Sequence, residues 1–333
     1  MWFDIFLMLM SLFIILISCE FFTNSIEWLG KKLKVGDGVV GSLFSAVGTC
    51  LPETMVPIIA ILYLGQSNSI DIGIGAIVGA PFMLSTLAFF VTGISVVLFW
   101  PKRKSGMDMN INSEAICRDI SFFTASYSIG ISSAFINIRI CKNIIALFLI
   151  LTYIFYIFLT VKRDKSKQGS IDELYLSVVF HIKPRFYVVV LQVCIALIGI
   201  IMGAHIFVVK IEDISVLFGI PAIILSLIIT PVATELPEKF NSIIWISKSK
   251  DALALGNITG AMVFQSCIPV SIGILATDWR LNQNAVISAL IAVMSASIVY
   301  FWTESRKKLN PLPLIMGGVF YAFFIGMLFN SAF

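Results

Sequence analysis

Ten apolar segments divide the 333-residue chain, and each is long enough to cross a hydrocarbon core about 30 Å thick as a helix. The segments are residues 2–22, 39–64, 72–100, 120–136, 144–161, 186–209, 214–247, 252–276, 285–302 and 311–328. Only 13% of the residues are charged, about half the share that is usual in soluble domains. The sequence therefore predicts an all-α polytopic membrane protein with ten transmembrane helices.

The second half of the chain repeats the first half. The stretches that align without a gap are residues 19–53 with 204–238, and residues 75–80 with 256–261. We predict two five-helix repeats, 1–161 and 186–333, joined by a connecting loop at 162–185. Because five is an odd number of spans, the two repeats must enter the membrane in opposite orientations. Such inverted repeats are typical of secondary transporters.

Each copy of the repeat places a threonine, a proline and a glutamate within an apolar segment. These residues are Thr49, Pro52 and Glu53 in the first copy, and Thr234, Pro237 and Glu238 in the second. An ionisable group in hydrocarbon is costly, so it indicates a functional site by default. The threonine and the glutamate are four residues apart and share a helix face.

The proline of each motif adds a backbone oxygen to this set. Proline has no N–H, so in a continuous helix it leaves the carbonyl four residues earlier without a partner. Those carbonyls belong to Gly48 and Ala233. A hydroxyl, a carboxylate and a carbonyl form an all-oxygen half-site, which hard cations such as calcium, sodium and magnesium prefer.

Several of these side chains also have a purely structural interpretation. A buried glutamate can be held by neighbouring hydroxyl groups, and a helical threonine can donate to the carbonyl four residues earlier. Two glycine pairs, Gly75/Gly79 and Gly256/Gly260, are spaced to let two helices approach closely, and we favour that role for both. Asn257 and Gln265 follow the second motif, and each is either part of the site or a hydrogen-bonding group between helices.

The two motifs resemble a known pair of signatures. They read Gly48-Thr49-Cys50-Leu51-Pro52-Glu53 and Ala233-Thr234-Glu235-Leu236-Pro237-Glu238. Both are similar to the G-T-S-L-P-E signatures of the sodium/calcium exchanger family, within the cation/calcium antiporter superfamily, in its prokaryotic form. Residues 256–261 resemble the G-N-x-x-G-S stretch that follows the second signature.

The resemblance implies a fold and a set of ion ligands. The fold is ten helices in two inverted five-helix halves, with the site between the second, third, seventh and eighth helices. The two motif glutamates, Glu53 and Glu238, would bind the divalent ion. The two motif threonines, Thr49 and Thr234, would supply oxygens for calcium or sodium.

The sequence departs from the family pattern at positions that flank the glutamates. Cys50 and Glu235 stand where the family usually has serine, and Gln265 stands at a polar position of the eighth helix. Three further polar positions are occupied by Ala80, Leu84 and Ala261. A full sodium-coupled stoichiometry is therefore in doubt, and the counter-ion is Na⁺ or H⁺. Lys239 follows Glu235 by four residues, and it either neutralises that carboxylate or occupies a cation position itself.

Basic residues are divided unevenly between the two sets of loops. The loops near residues 31–34, 102–118, 162–185, 248–250 and 306–308 carry 18 of them, whereas the loops on the opposite side carry four. Basic loops remain in the cytoplasm. We therefore predict a multi-pass protein of the cell membrane with both termini outside and the 162–185 loop in the cytoplasm.

Together these features predict a secondary-active antiporter and not an enzyme. It would exchange a divalent cation, with calcium as the expected ion, for Na⁺ or H⁺ by alternating access, and it would need no cofactor. Its partners would be inorganic cations and the lipid bilayer, not nucleic acid, and one chain would suffice as a monomer. The alternatives are an exchanger of Mg²⁺ or another cation for H⁺, and a non-transporting cation-binding sensor with the same fold.

Overall fold

The computed structural model describes residues 2–32, 50–65, 67–103, 106–163 and 173–332. Most of these residues are helical, and within these ranges the one extended contact is an isolated antiparallel bridge between Met109 and Leu309. The predicted all-α class is confirmed. The motif residues Gly48 and Thr49 lie outside the described ranges.

Six α-helices are described in the first half of the chain. They are α1 (Trp2–Lys32), α2 (Leu51–Ile58), α3 (Ser67–Met83), α4 (Phe89–Phe99), α5 (Ser113–Ser132) and α6 (Arg139–Arg163). A π-helical stretch, Ile59–Leu64, continues α2, and a second one, Leu84–Ala88, joins α3 to α4. Such stretches occur frequently at functional sites, and here they lie in the two helices that follow the first motif.

The remaining helices belong to the connecting segment and the second half. They are α7 (Tyr175–Phe180), α8 (Phe186–Phe218), α9 (Ala222–Thr234), α10 (Leu236–Ser247), α11 (Asp251–Ala276), α12 (Gln283–Arg306) and α13 (Pro311–Ala332). The connecting segment, which we predicted to be a loop, thus contains the short helix α7.

Seven helical segments in the described ranges are long and apolar enough to cross a membrane. They are Phe3–Leu29, Asn68–Lys102, Arg139–Thr160, Phe186–Phe218, Asp251–Ala276, Gln283–Arg306 and Pro311–Leu328. Two shorter apolar helices, Glu53–Leu64 and Ala222–Val232, lie beside the repeated motif. Length and composition therefore support a multi-pass membrane protein. The helices that carry the motif are shorter because each begins or ends within it.

Two predicted boundaries are wrong. The segment predicted at 214–247 is not one helix, because α8 continues to Phe218 and ends at Gly219, whose φ of +65° is favourable for glycine. The chain then turns through Pro221 into α9, which ends at Thr234. The segment predicted at 120–136 begins earlier, at Ser113, because the Asn112 side chain caps the helix by accepting from the backbone N–H of Ala115 at 3.2 Å.

Two close helix pairs join the halves of the chain. Helix α1 packs along α8, where Gly199 and Gly203 leave no room for a side chain against α1. Helix α9 packs on α3, where a Cβ at Gly75 would lie 2.5 Å from the Ile223 carbonyl oxygen. Ser226 donates across this second interface to the Ile72 carbonyl at 2.6 Å. The predicted packing role is confirmed for Gly75 and Gly79. It is wrong for Gly256 and Gly260, because no described atom lies within 4 Å of a Cβ at Gly256 and the nearest one to a Cβ at Gly260 is the Tyr156 hydroxyl oxygen, at 3.9 Å.

Helix α11 lies at the centre of the bundle, and 78% of its most apolar window is buried. It contacts α3, α5, α6 and α10. Its first residue, Asp251, forms a fully buried ion pair with Arg103 from the segment after α4, at 2.6 Å. This pair fixes the start of α11 against the first half of the chain.

Candidate functional site

The described part of the first motif has nearly the same backbone conformation as the matching part of the second. Cys50 precedes α2 with φ −89° and ψ 7°, and Glu235 precedes α10 with φ −88° and ψ 0°. This region of φ and ψ is sparsely populated, and it is typical of turns and of many active-site residues. In both motifs a residue with this conformation directly precedes the helix that carries the glutamate, and in the second motif it separates α9 from α10.

The motif prolines, Pro52 and Pro237, lie in the first turn of α2 and of α10. Proline is well suited to that turn because the first N–H groups of a helix have no helical partner. The predicted effect on the carbonyls therefore has a different cause in the second motif. The carbonyl of Ala233 lies in the last turn of α9, where a carbonyl oxygen has no N–H donor four residues later within its own helix.

The motif glutamates lie at matching positions. Glu53 is the third residue of α2 and is 3% exposed, and Glu238 is the third residue of α10. A helix N-terminus stabilises a nearby carboxylate by about 0.3–1 kcal/mol, and by up to about 2 kcal/mol when the site is partly buried. Burial of an ion costs several kcal/mol. The helix N-terminus of α2 therefore offsets only part of the cost of burying Glu53.

Glu235 and Lys239 form the ion pair that their spacing predicts. The ammonium Nζ lies 3.2 Å from carboxylate Oε2, and the two residues are 6% and 0% exposed, respectively. The backbone N–H of Lys239 also donates to the carbonyl of Glu235, at 3.1 Å. The third carboxylate of the candidate site is thus paired within its own helix turn.

The hydroxyl of Thr234 donates to a carbonyl of its own helix. It is 2% exposed, and its Oγ1 lies 2.9 Å from the carbonyl oxygen of Thr230. This is the structural alternative that the sequence left open. This bond uses the hydroxyl hydrogen, so the lone pairs of the oxygen can still coordinate a cation. Cys50, which directly precedes α2, is 2% exposed.

Gln265 is fully buried on α11, and neither its amide nitrogen nor its amide oxygen has a hydrogen-bond partner among the described residues. Leaving a buried polar group unsatisfied costs about 1–3 kcal/mol. The hydroxyl of Ser242 on α10 is also buried, and it too has no hydrogen bond in the described ranges. Because α10 packs on α11, this part of the bundle holds polar groups that can serve a ligand.

Asn257 lies in a separate cleft between α5, α6 and α11, with a volume of about 560 Å³. The cleft also holds Asp119, a buried carboxylate that the sequence analysis did not single out. Thr259 donates to Asp119 at 2.9 Å, and Arg118 pairs with it at 3.0 Å. The signal was an acidic residue beside an apolar run, but the adjacent charges made this stretch look like a loop.

The helices of the candidate site contact one another across the two halves. Helix α2 contacts α9 and α11, and α3 also contacts both. Within the described residues, no group of three or more histidine, cysteine, aspartate or glutamate side chains is close enough to hold a metal ion. These contacts join the helices that carry the two motifs to the helix that carries Gln265.

A family model described as "Sodium/calcium exchanger protein" matches residues 3–162 and 188–333. The chain belongs to this exchanger family. The resemblance that the motifs indicated is therefore confirmed, and the family and fold are those of transporters.

Relatives of this exchanger-family chain include proteins of similar length. An uncharacterised membrane protein of Methanocaldococcus jannaschii is 23% identical over 90% of this chain and 89% of its own. The inner membrane protein YrbG of Escherichia coli is 21% identical over 94% of this chain and 93% of its own. The sodium/potassium/calcium exchanger 1 of Rattus norvegicus is 28% identical over 46% of this chain, but only 12% of that protein is covered.

Solved structures show that the exchanger fold extends over nearly the whole chain. The crystal structure of the H⁺/Ca²⁺ exchanger CAX superimposes on 98% of this chain with a TM-score of 0.75 and 15% identity, and 82% of CAX is covered. The sodium-calcium exchanger NCX_Mj superimposes on 98% of this chain with a TM-score of 0.56 and 19% identity, and 98% of it is covered. These similarities concern the fold.

Proposed function

We propose that this protein exchanges a divalent cation, with Ca²⁺ as the expected ion, for Na⁺ or H⁺ across a membrane. One observation carries the proposal. In both motifs the residue before the glutamate-bearing helix has nearly the same backbone angles, and the glutamate lies in the first turn of that helix; in the second motif this residue separates α9 from α10. Broken helices of this kind form the ion sites of many secondary transporters.

The matching backbone angles at Cys50 and Glu235 also support the inverted-repeat architecture. Ten spans in two five-helix repeats place Glu53 and Glu238 on facing elements, so that both bind one divalent ion. Thr49, Thr234 and the carbonyls of Gly48 and Ala233 complete the oxygen set. The same carboxylates must bind either the divalent ion or its counter-ions, and this competition couples the two fluxes.

Alternating access requires a part of the protein that moves past the site. Helices α1 and α8 suit this role because they pack closely along each other. At one end, Gln192 of α8 is fully buried and donates to the Phe21 carbonyl and to Asn24 of α1, at 2.9 and 3.0 Å. In our proposal these two helices move as one unit across the helices that carry the two motifs.

The proposed setting is the cell membrane, with both termini outside and residues 162–185 in the cytoplasm. The distribution of basic residues supports this orientation. The two motifs of one chain supply both glutamates of the proposed site, so the protein would work as a monomer.

Uptake of radioactive calcium into proteoliposomes tests the function. The assay compares an outward Na⁺ gradient, an outward H⁺ gradient and no gradient, for the wild type and Glu53→Gln. The matched control is Glu173→Gln, which changes an exposed glutamate. We expect gradient-driven uptake that Glu53→Gln abolishes and Glu173→Gln retains. Absence of calcium uptake under every gradient would overturn calcium antiport and leave another cation, such as Mg²⁺, or the sensor.

A further inference from the structure

The Glu235–Lys239 ion pair lies at the break between α9 and α10. Glu235 is the break residue itself, and Lys239 directly follows Glu238 in α10. Both residues are buried, and in the described part of the chain neither charged group has a hydrogen bond to a third residue. The pair is therefore isolated from other polar side chains that are described.

The first motif shows that this backbone conformation does not need an ion pair. The positions that match Glu235 and Lys239 are Cys50 and Thr54. Thr54 is buried and donates to the carbonyl of Cys50 at 2.7 Å, so a neutral contact replaces the charged one. The backbone angles of Cys50 and Glu235 nonetheless agree within a few degrees.

Stability does not explain the pair either. Removing two charges from water costs several kcal/mol per ion, and additional hydrogen bonds are needed to recover that cost. Neither charged group has such bonds to the described residues. A buried ion pair that the backbone conformation does not require, and that has no further hydrogen bond to the described residues, is best explained by its charge.

We propose that the ammonium group of Lys239 is a built-in cation that takes the place of one transported monovalent ion. It occupies the carboxylate of Glu235, so that this carboxylate does not bind Na⁺ or H⁺ during the cycle. The exchanger then moves one monovalent ion fewer per divalent ion than it would without the lysine. This inference rests on the proposed antiport and identifies Lys239 as a residue that determines its stoichiometry.

The ion stoichiometry of transport tests the proposal directly. In proteoliposomes with a clamped membrane potential, we would find the calcium ratio at which net calcium flux is zero, under imposed Na⁺ or H⁺ gradients. In Lys239→Thr, whose new hydroxyl matches Thr54, we expect this ratio to depend on one further power of the monovalent gradient. The arm in which the extra power occurs identifies the monovalent ion.

The double variant Glu235→Cys/Lys239→Thr is the decisive comparison. It gives the second motif the cysteine and the threonine that the first motif has at the matching positions. It removes the carboxylate together with the lysine, so we expect the wild-type stoichiometry to return. Lys248→Met is the control, because it removes an exposed lysine from the end of the same helix. An unchanged stoichiometry in Lys239→Thr, or an altered one in the double variant, would overturn the proposal.

A second measurement does not depend on flux. We would record thermal unfolding of the purified proteins in detergent while Na⁺ replaces choline at constant ionic strength, and separately while the pH is lowered. We expect Na⁺ or acid to stabilise Lys239→Thr more than it stabilises the wild type or the double variant, because only this variant has a free carboxylate at Glu235. No gain in either arm would overturn the inference, whereas absent flux in the wild type would count against the antiport itself.

Discussion

The buried pair of Arg103 and Asp251 predicts a large and specific loss of stability on mutation. The guanidinium bonds both carboxylate oxygens, at 2.6 and 2.8 Å, and both side chains are fully buried. The same guanidinium donates to the carbonyls of Gly106, Asp108 and Ile246. It thus connects the segment after α4 with the end of α10 and the start of α11.

The variant Arg103→Met leaves Asp251 buried without its ionic partner, which costs about 3–5 kcal/mol. At about 2.1 cal/mol/K per residue, the unfolding entropy of a 333-residue chain is near 0.7 kcal/mol/K. The melting temperature should therefore fall by about 4–7 °C. Thermal unfolding in detergent, followed by a thiol-reactive dye or by size-exclusion chromatography, measures this shift.

An exposed ion pair in the same region provides the control. Lys308 lies 3.8 Å from Asp108, and their side chains are 75% and 62% exposed. Exposed pairs contribute about 0–1 kcal/mol, so Lys308→Met should change the melting temperature by about 1 °C or less. The double variant Arg103→Met/Asp251→Asn should recover part of the loss. An Arg103→Met shift no larger than the control, or no recovery in the double variant, would refute the reasoning.

Three further outcomes follow from the packing and the unsatisfied groups. Gly79→Leu should separate α3 from α9 and abolish transport with a lower melting temperature, whereas Gly256→Ala, where no described atom lies within 4 Å of an added Cβ, should leave the melting temperature unchanged. Gln265→Glu should lower the calcium concentration for half-maximal uptake, because a carboxylate replaces an unsatisfied amide; an unchanged or higher concentration would argue against a role in the site. Gln192→Leu removes three hydrogen bonds, so hydrogen exchange in α7 should become faster while α13 is unaffected.

The fold class, the packing of Gly75 and the Glu235–Lys239 pair show how much the local sequence pattern predicts. In hydrocarbon every backbone group must be satisfied within the protein, so long apolar runs have to be helical and the fold class followed from composition. The spacing of Gly75 and Gly79 predicted a close helix contact, which the structure confirms against α9. The spacing of Glu235 and Lys239 likewise predicted their ion pair.

Helix ends were predicted less well because hydropathy does not register single residues. The apolar character continues from α8 into α9, so the turn at Gly219 and Pro221 was hidden within one predicted segment. The break at Glu235 was hidden for the same reason. Capping by Asn112 extended α5 towards its N-terminus, over a charged stretch that hydropathy assigned to a loop.

The sequence by itself determined that the chain is an all-helical membrane protein with a duplicated acidic motif, because helical span and repeat are local properties. Only the tertiary structure decided which polar groups meet. Asp119 meets Thr259, and Arg103 meets Asp251, across about 140 or more residues of chain. No local spacing encodes such pairs, because they depend on how α5 and the segment after α4 pack against α11. For the same reason, the structure alone revealed that Gln265 is buried without a hydrogen bond in the described ranges.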